Sequence, residues 1–287
     1  MRKLFLFLII MIVTTLPASM IYSVSQERIA NAQTLLFEIE VDSPFSKAYV
    51  AYKGVRYPFY AHPSHDVGTF YALVPTSYYA KPKKENAVIV TIVEGEKQFA
   101  SVSIMIEKGK YKSEHLKVNA SRAKISKSNL ARIKKESLEA KKIYNHFTKK
   151  SYIDRAFDYP MQSKITSAFG TKRVFNGVLK SYHSGTDFRA KVGTPLYAAN
   201  AGKVVLVKNR FFAGNSVIID HGQGLYTGYY HMSAFKVNVG DIVKQGDLLG
   251  LAGATGRVTG PHLHFTVHVG GKVVDPLQFL ETVNRLF

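Results

Sequence analysis

The second half of this sequence leaves no room for a long helix. From Tyr152 onward, short apolar runs at Lys203-Val204-Val205-Leu206-Val207, Ser216-Val217-Ile218-Ile219, Asp247-Leu248-Leu249-Gly250 and Phe265-Thr266-Val267 are broken by Gly193, Gly202, Gly214, Gly240, Gly246 and Gly256. Runs of strand length between tight turns predict an all-β domain over residues 152–287.

The region before it divides in two. Thr34 to Val118 is rich in β-branched and aromatic residues, with alternation at Leu36-Phe37-Glu38-Ile39-Glu40-Val41 and turn signals at Asp42-Ser43-Pro44, Lys53-Gly54, Glu94-Gly95-Glu96 and Lys108-Gly109-Lys110. Residues 34–118 are therefore expected to form a small β module, a sandwich or barrel, with a regulatory or docking role. Its His62 and His65 lie in a turn-like stretch and read as ordinary exposed histidines. Residues 121–150 hold many lysines and neither Gly nor Pro, and Leu130, Ile133, Leu138, Ile143 and Phe147 suit an amphipathic helix. That segment is expected to be a linker helix. Its Ser121-Arg122-Ala123-Lys124 matches the Ser-x-x-Lys of penicillin-interacting enzymes, but no Lys-Thr-Gly partner accompanies it and the match reads as chance.

The start of the chain bears on location. Met1-Arg2-Lys3, an apolar run from Leu4 to Val13, and then small and turn-forming residues follow the pattern of a secretory signal. Residues 1–25 are expected to be that signal, cleaved after Ser25, or else retained as a membrane anchor. The product would be exported to the periplasm or cell envelope. The chain's 39 Lys and Arg against 20 Asp and Glu give a formal charge of +19. In an exported protein such a field favours anionic envelope polymers over nucleic acid.

Cysteine is absent, so disulfides, thiolate metal sites and cysteine nucleophiles are excluded. Any metal must be held by His, Asp or Glu. Six of the ten histidines fall between His183 and His268, in His183-Ser184-Gly185-Thr186-Asp187, Tyr230-His231 and His262-Leu263-His264, besides His221 and His268. A catalytic zinc takes three protein ligands and leaves a position open. His183, Asp187 and one histidine of the last pair supply three. On a strand, His262 and His264 point to the same face, about 7 Å apart. One would bind metal and the other face the water or substrate.

These segments closely resemble the LytM-type, lysostaphin-like zinc peptidases of family M23. The likeness extends to Ser167-Ala168-Phe169-Gly170, Gly193-Thr194-Pro195-Leu196-Tyr197-Ala198-Ala199, Val239-Gly240-Asp241, Gly246 and Gly256-Arg257-Val258-Thr259-Gly260-Pro261 before His262. It covers about residues 155 to 280. The resemblance implies one Zn²⁺ held by His183, Asp187 and His264, with His231 and His262 as catalytic histidines. It further implies peptidoglycan as partner and substrate, and an endopeptidase cleaving peptide crosslinks in wall remodelling or cell shape. A carboxypeptidase that trims stem peptides and a non-catalytic activator of other wall hydrolases are the alternatives. Where family members often carry Glu two residues after the last ligand, this chain has Thr266. Tyr182, Tyr229 and Tyr230 flank the motifs and would either donate to developing charge, line the groove or pack. His221 and His268 receive no role.

Overall fold

In the computed structural model, residues 20–42, 44–65, 67–116, 126–175 and 178–287 are described. The N-terminal module is a sandwich of two mainly antiparallel sheets. One has the order Met20–Val24, Thr34–Val41, Thr69–Pro75, Tyr60–Ala61; the other runs Arg28–Ala30, Glu96–Glu107, Lys83–Val93, Lys47–Tyr52, Val55–Pro58. The alternation in Thr34–Val41 explains the packing. Leu35, Phe37 and Ile39 enter the core between the sheets with Val50, Ala72, Val74, Ile89 and Ile104.

The opposite face of that sheet is not left to solvent. Leu36, Tyr71 and Leu73 belong instead to the core of the C-terminal domain. Polar clamps reinforce the seam. Gln278 accepts from Thr34 N at 2.8 Å and donates to Thr34 O at 2.9 Å, Tyr71 Oη donates to Gln223 Oε1, and Asp275 N donates to Ala32 O. The module is thus docked through shared apolar burial rather than tethered by a linker.

The second domain is built on an antiparallel sheet with the order Ile165–Ser167, Thr186–Arg189, His262–Val269, Leu225–Met232, Gly214–Gly222, Gly202–Arg210, Ile242–Val243. Lys272–Val274 pairs back onto His262–Val269, and a small sheet of Pro195–Tyr197, Leu248–Leu251 and Ala234–Phe235 packs beside it. The β architecture expected from the glycine-punctuated runs is present, with one addition. A terminal helix (Pro276–Val283) closes the core with Phe279, Leu280 and Val283. Its start is written in the sequence: Asp275 is the N-cap, accepting from Leu277 N and Gln278 N, and Pro276 fills the first helical position where no N–H is needed.

The expected linker helix forms over Lys127–Tyr144, while Ser121-Arg122-Ala123-Lys124 lies outside the described residues. Of the apolar positions expected on its packed face, Ile143 does meet the second domain. Leu130 and Leu138 are exposed. The contacting stripe is Arg132, Glu136, Glu139, Ala140, Ile143 and Tyr144, a helical spacing that mixes charge with apolar surface. Glu136 is buried, pairs with Arg132 at 2.7 Å and accepts from Phe211 N at 2.8 Å. Burial alone would raise its pKa, but the Phe211 N–H and the Arg132 guanidinium hold it below the usual value. Tyr144 enters a cluster with Leu206, Ile218, Tyr226 and Tyr230. The helix belongs to the second domain as a cover for one face of its sheet.

The module's first strand, Met20–Val24, precedes the expected boundary at Thr34 and pairs in register with Phe37 to Val41. Met20, Tyr22 and Val24 pack against the sandwich core, and Ser25 N donates to Leu36 O. Cleavage after Ser25 would remove this strand and bare the Thr34–Val41 edge. A chain beginning at Gln26 should therefore be less stable than one beginning at Met20 by about 2 kcal/mol or more. Thermal melts of the two should differ by roughly 4 °C or more.

Candidate metal centre

Two backbone registers assemble the site. Asp187 lies opposite His264 across one strand pair, and His264 lies opposite Tyr230 across the next. His183 sits in the loop just before the Thr186–Arg189 strand. His183 Nε2, Asp187 Oδ1 and His264 Nδ1 form a triangle with edges of 2.9, 2.8 and 3.0 Å. Residue 185 must be Gly: a Cβ there would come within 2.4 Å of Phe265 O and 2.7 Å of the His264 ring.

The chemistry of this triangle fits a cation. His183 Nδ1 lies 2.9 Å from Ala168 O, so the proton is held on Nδ1 and Nε2 offers its lone pair. That lone pair faces His264 Nδ1, and two facing imidazole nitrogens are compatible when a proton or a metal lies between them. Burial would raise the Asp187 pKa, but the close approach of the His183 and His264 rings holds it far below the usual carboxylate range. Burial pushes the His264 pKa down, leaving the ring neutral as a metal ligand requires. The donor set of two imidazoles and one carboxylate, with no thiolate, suits Zn²⁺ with a coordination position left over.

His231 and His262 stand beside the triangle, their ring centroids 4.8 Å apart. Each has Nδ1 pinned to a backbone carbonyl, His231 to Thr255 O and His262 to Gly260 O, both at 2.9 Å. Nε2 is then the free lone-pair nitrogen on each ring. His262 Nε2 lies 3.7 Å from Asp187 Oδ1. Burial, reinforced by His264, lowers the His231 pKa to about 4. His231 also holds a φ of 64°, a left-handed conformation costly for a residue with a Cβ, at the end of a fully buried strand.

The flanking tyrosines divide by role. Tyr229 packs in the core and its hydroxyl accepts from Ala199 N. Tyr182 stacks on Tyr78 of the N-terminal module at 3.6 Å, beside the loop that carries His183. Tyr230 stacks on His264 with its ring 18° from parallel, and its hydroxyl is hydrogen-bonded to that of Tyr144. Tyr144 lies flat on His268, ring centroids 3.5 Å apart. The support given by Tyr144 was not visible in the sequence, because it comes from a helix far from any motif. Thr266 is buried with its hydroxyl 3.4 Å from Tyr230 Oη, a packing position behind the ligand. His221 is fully buried, contacting Ala201 O and Thr227 Oγ1 at 2.7 Å each.

With the geometry in place, the comparisons decide the family. Residues 181–276 match the model for peptidase family M23. That segment is an M23-family peptidase domain. Two peptidoglycan DD-endopeptidases of Vibrio cholerae are similar to it: ShyB, 42% identical over 133 residues (44% of this chain, 31% of ShyB), and ShyA, 44% identical over 131 residues (44% of this chain, 30% of ShyA). The chain spans about a third of the length of these relatives. The crystal structure of a candidate M23 peptidase from Pseudomonas aeruginosa is similar over more of the fold. It superposes with a TM-score of 0.66 at 26% identity, covering 86% of this chain and 93% of that one.

Replacing His183, Asp187 or His264 by Ala should abolish stoichiometric zinc binding in the M23 domain, whereas His231→Ala and His262→Ala should leave the three ligands in place. Zinc per chain, measured by elemental analysis at saturating zinc, should be one equivalent lower in the first group than in the second. A second expectation concerns acid. Burial lowers the His221 and His268 pKa values to about 4 and about 3, against 6.5 when unfolded. The unfolded chain therefore takes up protons below about pH 6.5 that the folded chain refuses, so stability is full above that pH and falls towards pH 4. Melts of zinc-free protein between pH 7 and pH 4 should show this decline, and His268→Phe should flatten it.

Proposed function

We propose that this M23 metallopeptidase is an exported, zinc-dependent peptidoglycan endopeptidase that cleaves amide bonds in the peptide crosslinks of the wall. The single observation that carries this reading is the triangle of three lone-pair atoms with two further histidines beside it, both fixed in the tautomer that leaves Nε2 free. A purely structural zinc site would fill its fourth position with protein, and the additional histidines here supply acid–base groups instead.

Zinc, when bound by His183, Asp187 and His264, supplies Lewis acidity that polarises a carbonyl and brings water into reach of neutral-pH ionisation. The remaining work falls to the chain. Nε2 of His231 or His262 accepts a proton from the attacking water and returns it to the leaving amine, while Nδ1–H stays anchored on Thr255 O or Gly260 O. Tyr230 and Tyr144 hold the His264 ring against rotation. The crosslink as substrate is supported by the printed activity of the two Vibrio relatives and by the +19 charge, which favours adsorption to anionic wall polymers. Export rests on the basic start and apolar run of the first residues. Among the described residues, no helix is long and apolar enough to cross a membrane.

Incubation of the full chain with intact sacculi, followed by mass separation of the products, tests the reading. Crosslinked dimers should convert to monomers. The conversion should vanish on chelation and in His183→Ala, and fall by about 10² to 10⁴ in His231→Ala or His262→Ala. Release of single terminal amino acids from stem peptides without loss of dimers would establish a carboxypeptidase instead, and no release at all would establish a non-catalytic protein.

A further inference from the structure

A second group of metal-ligating side chains lies in the N-terminal module. Glu38, His62 and His65 each place one ligand atom within 4.8 Å of the other two. The expectation that these histidines are ordinary exposed residues fails for His62, whose side chain is fully shielded, while His65 remains exposed. Glu38 lies on the outer face of its strand, beside Tyr71 in register. That is the face turned towards the peptidase domain.

The local chemistry is unfinished without a cation. His62 Nε2 is buried and has no hydrogen-bond partner, although Glu38 Oε1 is only 3.3 Å away. A lone buried polar atom carries a desolvation cost that a bound ion would remove. A separation of 3.3 Å also matches the edge of a tetrahedron whose centre lies about 2.0–2.1 Å from N and O ligands.

We infer that Glu38, His62 and His65 form a second divalent-cation site of the zinc class, separate from the catalytic centre. Loading has two local consequences. The His62 and His65 rings, now stacked 3.9 Å apart, must splay so that both lone pairs meet one ion, and exposed His65 is the ring free to turn. The proton on His62 must reside on Nδ1, which replaces the long 3.3 Å contact from Ser64 N. The same loop is already tied to the other domain, since Ser64 Oγ donates to Leu286 O at 2.6 Å and Tyr71, which meets His62 edge-on, donates to Gln223. An ion here would fasten the seam between module and peptidase.

Full-length chain stripped by chelator and titrated with Zn²⁺ alone tests this. Two equivalents should bind to the parent chain, one to His65→Ala and one to His183→Ala, with Glu38→Gln as a further variant expected to hold one. In the His183→Ala background, zinc should raise the thermal midpoint, and adding His65→Ala should remove that rise. Since His65 is exposed, its replacement leaves folding intact, and an unchanged circular dichroism spectrum verifies this. A parent chain that binds one equivalent, or a second equivalent that persists in both His65→Ala and Glu38→Gln, would overturn the inference. Neither result alters the sacculus assay, which reports on the catalytic centre alone.

Discussion

The site depends on a register. Side chains alternate along the His262–Val269 strand, so a slip of one residue against its neighbours would turn His262 and His264 into the main core and send Leu263, Phe265 and Val267 to the face that carries the imidazoles. Those three apolar residues are almost wholly buried in the main core, each stabilising the fold by roughly 1.5–3 kcal/mol. The hydrophobic face thereby dictates where the imidazoles point. The ligands themselves cannot do so, because without a cation their lone pairs converge unfavourably.

Much of this centre was legible because its parts are local in sequence. Strand periodicity puts the two rings of a His-x-His on one face, and a His and Asp four apart around a glycine are close in sequence. The choice of His264 over His262 as ligand came with the family resemblance. What was not legible came from long-range packing. The apolar positions of the helix suggested that Leu130 and Leu138 would face the protein, but the face used is held by Arg132, Glu136 and Glu139, whose partners on Asn209, Phe211 and Lys208 are distant in sequence. His62 looked exposed for the same reason. Its loop sits in a turn-like sequence, and what buries it is the neighbouring sheet and the opposing domain. The terminal helix is a different case: Asp275-Pro276 is a local start signal, outweighed by the strand-like text before it.

The N-terminal module is joined to the peptidase by means that a sequence scan would assign to separate domains. One strand, Thr34–Val41, feeds alternate residues into two different cores. Tyr78 of the module donates to Gly170 O, and Gly170 N donates to His183 O, so a continuous hydrogen-bonded path runs from the module to the loop of a metal ligand. Movement of the module relative to the peptidase would have to break apolar burial as well as these bonds.

The helix before the peptidase sheet has a bearing on protein engineering. The match to the family begins at residue 181, yet the rear support of His264 passes through Tyr230 to Tyr144, well upstream of it. A domain cut at the edge of the recognisable homology would therefore carry His183, Asp187 and His264 and lack the support behind the last of them. It would also open Ile218, Leu206 and Tyr226 to water. The transplantable unit begins no later than Ser126, the residue that caps the helix.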